Sequence, residues 1–249
     1  MNTILITGAS SGLGAALARC YAHPDRHLLL WGRDSARLEA TADECRRRGA
    51  NVELDLLDLR DVTVSAQRLA AADARTPIAL AIFNAGVGGV APAGRAVEAP
   101  ERVHEIATVN FTAAVVGASA IAERMRSRGR GHIVLIGSIA ESFPLPMAPT
   151  YAGTKAGLAM FAEALGLRLR PSGVAVTLVS LGFVDTPMSR QVPSPKPFLL
   201  DADRAAAIIA RRIERRPRRI VVPWPFALIR TTARLLPRAL TRLVLQRLT

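Results

Sequence analysis

The sequence predicts an α/β fold in which a doubly wound, parallel sheet of about seven strands carries helices on both faces. Apolar runs of strand length alternate with stretches that are long enough for crossover helices. The runs are almost continuously apolar, which is typical of strands buried on both faces of a sheet. They lie at residues 2–7, 27–31, 51–54, 78–83, 132–136, 174–180 and 219–223.

One crossover stretch, residues 34–49, shows clear signals for the two ends of a helix. Asp34 or Ser35 can cap its start, leucine and alanine mark its inner face, and Gly49 can end it. No internal repeat or interdomain linker interrupts the alternation. We therefore expect one Rossmann-type domain over residues 1–225, followed by a basic, amphipathic helical extension over residues 226–249.

The composition favours a cytoplasmic protein. Cys20 and Cys45 have no metal-ligand spacing around them, the four histidines are scattered, and a chain of this size needs no disulfide. The first residues enter an apolar strand without a basic signal-peptide region. The uncharged run Ile106–Ala122 has 17 residues, whereas a membrane-spanning helix needs about 20 apolar residues. We predict that this run is a buried helix.

The net charge of +13 is concentrated near the C-terminus. Residues 204–249 contain twelve arginines and one acid, whereas the preceding part of the chain carries a net charge of only +2. Four arginines between residues 230 and 242 recur at every fourth position, and Pro237 is expected to separate two short helices. This pattern suits an anionic membrane surface, or packing on a partner subunit or over the active site. Nucleic acid binding is not expected, because aromatic residues for base stacking are nearly absent.

Three glycines follow the first strand in the sequence TGASSGLG. Gly8 permits a tight turn, Gly12 lets the backbone approach a pyrophosphate, and Gly14 allows the next helix to pack closely on the sheet. The N-terminus of that helix then presents free amides to phosphate. The spacing differs from the common G-x-G-x-x-G, but the order of strand, turn and helix predicts a dinucleotide site.

The end of the second strand favours NADP(H) over NAD(H). A residue that binds the ribose 2′-hydroxyl would be an acid at this position. The chain instead has Gly32 and Arg33 there, with Asp34 displaced into the helix cap. A small residue followed by an arginine suits a 2′-phosphate. The alternative, in a chain so rich in arginine, is that Arg33 is an ordinary exposed side chain.

Later strand ends supply further candidates. Asp55 follows the third run near the expected adenine, and the alternative role of helix cap fits Asp58 better. Residues 84–86 follow the fourth run and form a close backbone wall at the cofactor's ribose. The proline-rich stretch 185–198 follows the sixth run and is predicted to lack regular structure. We interpret it as a mobile lid or substrate loop, the alternative being a plain surface loop.

Tyr151 and Lys155 stand four residues apart, so on a helix they share one face. The chain has only two tyrosines and two lysines. An ammonium lowers the pKa of a neighbouring phenol, which is usually about 10, so Tyr151 is predicted to act as a general acid or base. Ser138, at the end of the fifth run, can hold a carbonyl oxygen beside the phenol. Asn110, polar within an apolar helix, could anchor a water that relays protons to Lys155.

Together these motifs resemble the short-chain dehydrogenase/reductase family over roughly residues 1–225. The matches are T-G-x-x-x-G-x-G from Thr7 to Gly14, N-A-G from Asn84 to Gly86, Y-x-x-x-K from Tyr151 to Lys155, the helix residue Asn110, and Ser138 at 13 residues before Tyr151. One position departs from the family pattern, because Leu181 stands where a proline usually precedes the glycine now numbered Gly182.

The resemblance implies an NAD(P)-dependent oxidoreductase that interconverts a carbonyl and a secondary alcohol. Tyr151 would be the acid/base, Lys155 would lower its pKa and bind the nicotinamide ribose, and Ser138 would position the carbonyl. Asn110 would support the proton relay. The alternatives are a nucleotide-binding scaffold without turnover and an epimerase that recycles its nicotinamide.

The resemblance also implies a homodimer or homotetramer that acts on a small molecule. We expect the protein to lie in the cytoplasm. If the basic extension contacts the membrane, the protein lies peripherally there and a lipid-like substrate is favoured; a precursor of a cell-surface polysaccharide is the alternative. The residues expected at the cofactor are Gly8, Ser10, Ser11, Gly12, Leu13, Gly14, Arg33, Asp55, Leu56, Asn84, Ala85, Gly86, Tyr151, Lys155, Gly182, Val184 and Thr186.

Overall fold

The structure, a computed structural model, describes residues 2–89, 97–192, 195–228 and 231. Strands and helices alternate along most of the described chain. The strands are β1 (Asn2–Thr7), β2 (Arg26–Gly32), β3 (Asn51–Leu56), β4 (Ile78–Phe83), β5 (Gly131–Ile136), β6 (Val174–Leu181), β7 (Val184–Asp185), β8 (Leu200–Asp201) and β9 (Arg219–Val222). The helices are α1 (Gly12–Tyr21), α2 (Ser35–Arg47), α3 (Val62–Arg75), α4 (Pro100–Ala107), α5 (Ala113–Ser127), α6 (Pro149–Leu169), α7 (Pro187–Arg190) and α8 (Ala202–Ile213).

Seven strands form one parallel sheet in the order β3-β2-β1-β4-β5-β6-β9. The order reverses between β1 and β4, so the loops that follow these two strands diverge to opposite faces of the sheet. Such a reversal opens a crevice beyond the carboxyl ends of the strands, where α/β proteins bind ligands. The predicted doubly wound fold is confirmed.

The sheet is buried on both faces, which explains its continuous apolar strands. Ile4 and Ile6 belong to the core formed with α1, α2 and α8, whereas Leu5 belongs to the core formed with α3, α5 and α6. Successive side chains of a strand point to opposite faces. Because helices cover both faces, the successive central residues Ile4, Leu5 and Ile6 of β1 are all apolar.

A long helix crosses one face of the sheet from Pro100 to Ser127. A π-helical turn over Thr108–Thr112 joins α4 to α5 and contains Asn110. By length and composition this one helix of the described residues could cross a membrane. Half of its apolar window is nevertheless buried inside the protein, where α5 packs against α3 and α6. This packing matches the buried helix predicted over residues 106–122.

The proline-rich stretch after β6 contains regular structure, contrary to the prediction for residues 185–198. Thr186 accepts a hydrogen bond from the Ser189 amide, and the Ser189 hydroxyl accepts one from the Thr186 amide. This reciprocal cap starts the single turn α7, and Pro187 occupies its first position, where a proline needs no amide donor. Residues 193 and 194 lie outside the described residues.

The first residue of the predicted C-terminal extension packs against the domain. Phe226 is 5% exposed and contacts the rings of Phe183 and Phe198, at centroid distances of 6.4 and 5.6 Å. A Cβ on Gly182 would lie 2.4 Å from the Phe226 ring. Because Gly182 has no side chain, the Phe226 ring can pack beside the loop that follows β6. The rest of the predicted extension, apart from residues 227, 228 and 231, lies outside the described residues.

A buried ion cluster joins the end of α3 to the end of α5. The Asp73 side chain is fully buried and accepts hydrogen bonds from Arg124 and Arg128 at 2.6 Å and from the Ile78 amide at 2.9 Å. Burial opposes ionisation of Asp73, but the bonds from Arg128, Ile78 and Arg124 outweigh it and hold the pKa below its usual value. The cluster thus stabilises the fold only while Asp73 is ionised.

We expect Asp73→Asn to reduce the free energy of unfolding by roughly 3 kcal/mol, since it leaves the partly buried Arg124 and Arg128 without their anion. Urea denaturation at pH 7 measures this loss. The matched control Glu123→Gln removes an exposed partner of Arg126 and should leave the stability unchanged. Because the folded pKa is depressed, the contribution of Asp73 is present at neutral pH and is lost as the pH falls through that pKa. Equal stabilities of Asp73→Asn and the wild type at pH 7 would contradict the prediction.

Candidate active site

A cavity of about 990 Å³ opens at the carboxyl ends of β1, β4, β5 and β6. It lies where the strand order reverses. Its walls come from the glycine turn after β1, the loops after β2, β4 and β5, the start of α6, and the segment from β6 to α7. One continuous cavity therefore joins the predicted nucleotide and catalytic residues.

The glycine turn has the conformation expected for a phosphate site. Gly8 and Gly12 have φ angles of +68° and +53°, which side chains rarely adopt. A Cβ on Gly14 would lie 2.0 Å from the Gly8 carbonyl oxygen, so only glycine allows α1 to approach the turn this closely. No side chain caps the start of α1, and its first turn contains no acid. The amides of this turn remain available to an anion.

Two asparagines brace the neighbouring loop after β4. The Asn84 side chain donates to the carbonyls of Thr7 and Gly8, at 3.0 and 3.3 Å, while the Thr7 hydroxyl accepts from the amides of Asn84 and Ala85. Asn110 is 1% exposed. Its amide group accepts from Val87 N at 2.7 Å and donates to Val87 O at 2.9 Å. Both polar atoms of the buried Asn110 side chain are thus hydrogen-bonded, and these bonds hold the cavity wall at Val87.

Ser138, Tyr151 and Lys155 converge at the centre of the cavity. Ser138 follows β5, and its hydroxyl hydrogen-bonds the Tyr151 phenol while accepting from the Ala140 amide at 3.2 Å. Tyr151 and Lys155 lie one turn apart in α6. The Lys155 ammonium is 5.7 Å from the centroid of the Tyr151 ring and donates to the Ile136 carbonyl at 2.9 Å. The three predicted catalytic side chains thus form one contiguous group.

Burial shifts the pKa of both ionisable groups. Burial raises the pKa of Tyr151, and the hydrogen bond from Ser138 opposes this only in part. Burial also lowers the pKa of Lys155 to about 8, against the attraction of the Glu141 carboxylate. The expectation of a lowered phenol pKa rests on neighbouring positive charge. Burial acts in the opposite direction, because it disfavours the charged form of both residues.

The nucleotide end of the cavity carries a cluster of charge. Arg33, Arg37 and Arg60 line it beside Asp34 and Asp58. Arg37 pairs with Asp34 at 3.2 Å and Arg60 with Asp58 at 2.5 Å, whereas the nearest carboxylate oxygen to Arg33, on Glu105, is 4.0 Å away. The Arg60 guanidinium holds the pKa of Asp58 below its usual value. Of the three cations, Arg33 is the least committed to a neighbouring acid.

The structure does not bring Asp55 and Leu56 into the cavity wall. Asp55 instead lies 3.6 Å from Arg68 of α3, and the Leu56 side chain is 55% exposed. The wall is formed by the next residues, 57–60, because β3 runs two residues further than predicted. Asp58 also does not cap α3, since Asp61 accepts the capping bond from Val64 N. The repeated L-D-L in the sequence signals two candidate aspartates without choosing between them.

The opposite end of the cavity is apolar. The described charged residues in the wall are Lys155 at the centre and the five at the nucleotide end. Met188 of α7 crosses the opening, its Cγ lying 3.1 Å from the position of a Cβ on Gly88. The apolar wall of this end is formed by Val87, Ile139, Phe143, Leu145, Met147, Phe183, Met188 and Val192.

The remaining predicted positions divide between the wall and its supports. Gly14 and Asn110 lie behind the wall and brace it. Thr186 lies over the glycine turn, its Cγ2 being 3.0 Å from the position of a Cβ on Gly12. The predicted residues in the wall are Gly8, Ser10, Ser11, Gly12, Leu13, Arg33, Asn84, Ala85, Gly86, Ser138, Tyr151, Lys155, Gly182, Val184 and Thr186.

The chain belongs to a known family: the sequence profile described as short chain dehydrogenase matches residues 2–197. An uncharacterized oxidoreductase from Myxococcus xanthus is 35% identical over 240 residues, which cover 96% of this chain and 94% of that protein.

Solved structures agree in fold. A short-chain dehydrogenase from Sphingobium yanoikuyae in complex with NADPH is 31% identical, with a TM-score of 0.82 over 90% of this chain and 89% of that chain. The bulky-bulky ketone specific alcohol dehydrogenase from Comamonas testosteroni is 27% identical, with a TM-score of 0.78 over 90% and 86% of the two chains. These similarities establish an oxidoreductase of the short-chain dehydrogenase family that uses a nicotinamide cofactor.

We expect Gly14→Ala to destabilise the protein by about 3 kcal/mol and to abolish nucleotide binding, because the new methyl group collides with the Gly8 carbonyl. Thermal unfolding and NADPH fluorescence titration measure the two effects. Gly153→Ala is the matched control: this helical glycine has open space at its Cβ position and should tolerate alanine. Wild-type NADPH affinity in Gly14→Ala would disprove the role of Gly14.

Proposed function

We propose that this protein is an NADP(H)-dependent oxidoreductase that interconverts a bulky, apolar ketone and its secondary alcohol. The observation that carries the proposal is the placement of Ser138, Tyr151 and Lys155 between a cationic nucleotide end and an apolar end of one cavity. In this arrangement Tyr151, a proton donor, lies between the two ends of the described cavity, where a bound cofactor and an apolar substrate would meet.

The side chains divide the work of carbonyl reduction. The cofactor, held by the glycine turn and the residues after β4, supplies the hydride. Ser138 and Tyr151 hold the carbonyl oxygen by hydrogen bonds. Tyr151 donates its proton to that oxygen as negative charge develops there. A phenol with a raised pKa remains protonated at neutral pH, so it is available as the acid.

Lys155 and Asn110 support this step from behind. The Lys155 ammonium stabilises the phenolate that remains after proton donation, and it can hydrogen-bond the nicotinamide ribose. Asn110 binds Val87 through both atoms of its amide group and thereby fixes the loop after β4. The proposal therefore gives Asn110 a structural part in the site, beside the predicted part in the proton relay.

The charge of the nucleotide end supports NADP(H) rather than NAD(H). No carboxylate stands at the end of β2 to accept the ribose 2′-hydroxyl, and Arg33 follows Gly32 in the cavity wall there. Asp34 and Asp58 already engage Arg37 and Arg60. Arg33 is thus the cation best placed to bind a 2′-phosphate. The NADPH complex of the Sphingobium relative is consistent with this choice.

The apolar end of the cavity supports a lipid-like or bulky aromatic ketone over a polysaccharide precursor. A sugar would present hydroxyls to Phe143, Leu145 and Met147, which cannot hydrogen-bond it. An apolar substituent would instead gain about 25 cal/mol for each Å² of surface that these side chains bury. The Comamonas relative acts on bulky ketones, which agrees with this substrate class.

We further propose a homo-oligomer in the cytoplasm, homodimeric or homotetrameric, with peripheral membrane contact through the basic extension. Met160 and Leu167 of α6 are 70% and 59% exposed, which supports a subunit contact at this helix. The apolar surface at Trp224 and Leu228, 65% and 61% exposed, leads into the extension. Sedimentation tests the oligomeric state, and vesicle flotation tests the membrane contact. A truncated variant for flotation should lack only residues after Leu228, so that it keeps the buried Phe226.

Replacing Tyr151 by phenylalanine should lower kcat for reduction of a bulky ketone by about 100- to 10,000-fold, because the proton donor is lost. NADPH affinity should stay within a factor of about three, since the ring remains in place. The matched control is Tyr21→Phe, which removes the hydroxyl of the other tyrosine; that buried hydroxyl has no hydrogen-bond partner among the described residues.

Steady-state oxidation of NADPH at 340 nm measures turnover for the wild type and both variants. Equal turnover in the wild type and Tyr151→Phe would refute the assignment of Tyr151. Product formation without net NADPH oxidation would favour the epimerase, and no product from any ketone would favour the nucleotide-binding scaffold.

Arg33→Ala should weaken NADPH binding roughly 10- to 100-fold, the value of a charge-assisted hydrogen bond, and leave NADH binding almost unchanged. Calorimetric titration of the two cofactors measures this difference. The control Arg47→Ala alters an exposed arginine in the last turn of α2, outside the cavity wall. Parallel losses of affinity for NADPH and NADH would contradict the role of Arg33.

A further inference from the structure

A buried polar cluster lies directly behind the turn that carries Ser138. Glu141 belongs to the 3₁₀ turn Ile139–Ser142, and its side chain is 3% exposed. It forms an ion pair with Arg219 of β9 and accepts a hydrogen bond from the Ser180 hydroxyl of β6 at 2.9 Å. Arg219 also donates to Ser180 at 3.0 Å. The cluster thus ties the turn to two strands of the sheet.

Glu141 and Lys155 approach the same peptide group from two sides. The Lys155 ammonium donates to the Ile136 carbonyl at 2.9 Å. The Glu141 Oε2 atom lies 3.1 Å from the position that a Cβ on Gly137 would occupy. Gly137 therefore leaves the space into which the carboxylate packs. This arrangement brings a buried anion near a buried cation.

The charged groups that face Glu141 carry the opposite charge. Glu141 faces Arg219 from β9, the Ser180 hydroxyl from β6 and Lys155 from α6; Lys155 in turn faces the Tyr151 phenol. Burial lowers the pKa of Lys155, and Glu141 is the group that raises it. The carboxylate thus opposes the loss of the ammonium at neutral pH.

We propose that Glu141 is a positioning residue that holds Lys155 in its ammonium form and fixes the turn carrying Ser138. Arg219 and Ser180 keep the carboxylate in place, so the cluster acts through Lys155 and does not touch the reacting atoms. The proposal rests on the proposed function only in giving Lys155 a part in the reaction.

The two lysines of the chain make the ionisation of Lys155 directly measurable. Labelling with ¹³Cε-lysine gives two resonances in the full-length protein, and Lys196 serves as the internal reference. In Glu141→Gln, which keeps an acceptor for Ser180, we expect the pKa of Lys155 to fall from about 8 by about one unit or more. The Lys196 resonance should titrate as in the wild type.

A second variant keeps the test decisive if Glu141→Gln does not fold. Glu141→Gln combined with Arg219→Gln removes both buried charges, a replacement that proteins often tolerate, and it should also lower the pKa of Lys155. Asp73→Asn is the control for a buried ion pair distant from the site. It should lower the melting temperature and leave the Lys155 titration unchanged.

An unchanged Lys155 pKa in the folded single or double variant would overturn the proposal. An equal shift in Asp73→Asn would also overturn it, since the effect would then reflect general loosening. The pH profile of kcat/KM for reduction provides a separate readout: its alkaline limb should move to lower pH by the same amount in Glu141→Gln. If Lys155 shifts while the pH profile does not, Glu141 keeps its role and the part of Lys155 in the proposed function is wrong.

Discussion

The site depends on an ammonium group held inside the protein. Lys155 is 5% exposed, and a buried charge without partners would cost several kcal/mol. The carbonyl at the end of β5 accepts its hydrogen bond, and the Glu141 carboxylate supplies opposite charge. Both of these interactions require α6 to cross the sheet at the point where β5 ends. The same crossing places Tyr151 beside Ser138, so the position of one buried cation fixes the other members of the site.

The cavity separates two kinds of recognition along its length. At one end, backbone amides and arginines suit the phosphates and ribose of a dinucleotide. At the other end, the cavity wall is aromatic and aliphatic. Burial is the largest cause of the pKa shifts of Tyr151 and Lys155, which lie between the two ends. The burial that suits the proposed apolar substrate therefore also favours the protonated phenol.

Local sequence patterns predicted the fold, and most of the candidate site residues that they indicate lie in the wall of one cavity. The strands Asn2–Thr7 and Ile78–Phe83 have the predicted bounds, because strands covered on both faces are mainly apolar. The choice between Asp55 and Asp58 required the pairing of β3 with β2, which carries the strand to Leu56. The tyrosine pKa and the contact of Glu141 with Arg219, 78 residues later, depend on distant segments. No local pattern contains that information.

The packing of Phe226 against Phe183 and Phe198 has an evolutionary consequence. These rings join the segment that leads into the C-terminal extension to both ends of the loop over the apolar end of the cavity. A change at Phe226 would therefore alter the packing of that loop. A chimaera that exchanges the C-terminal segment between two members of the family would also replace this aromatic support. Phe226 and the loop should accordingly diverge, and be transplanted, as one unit.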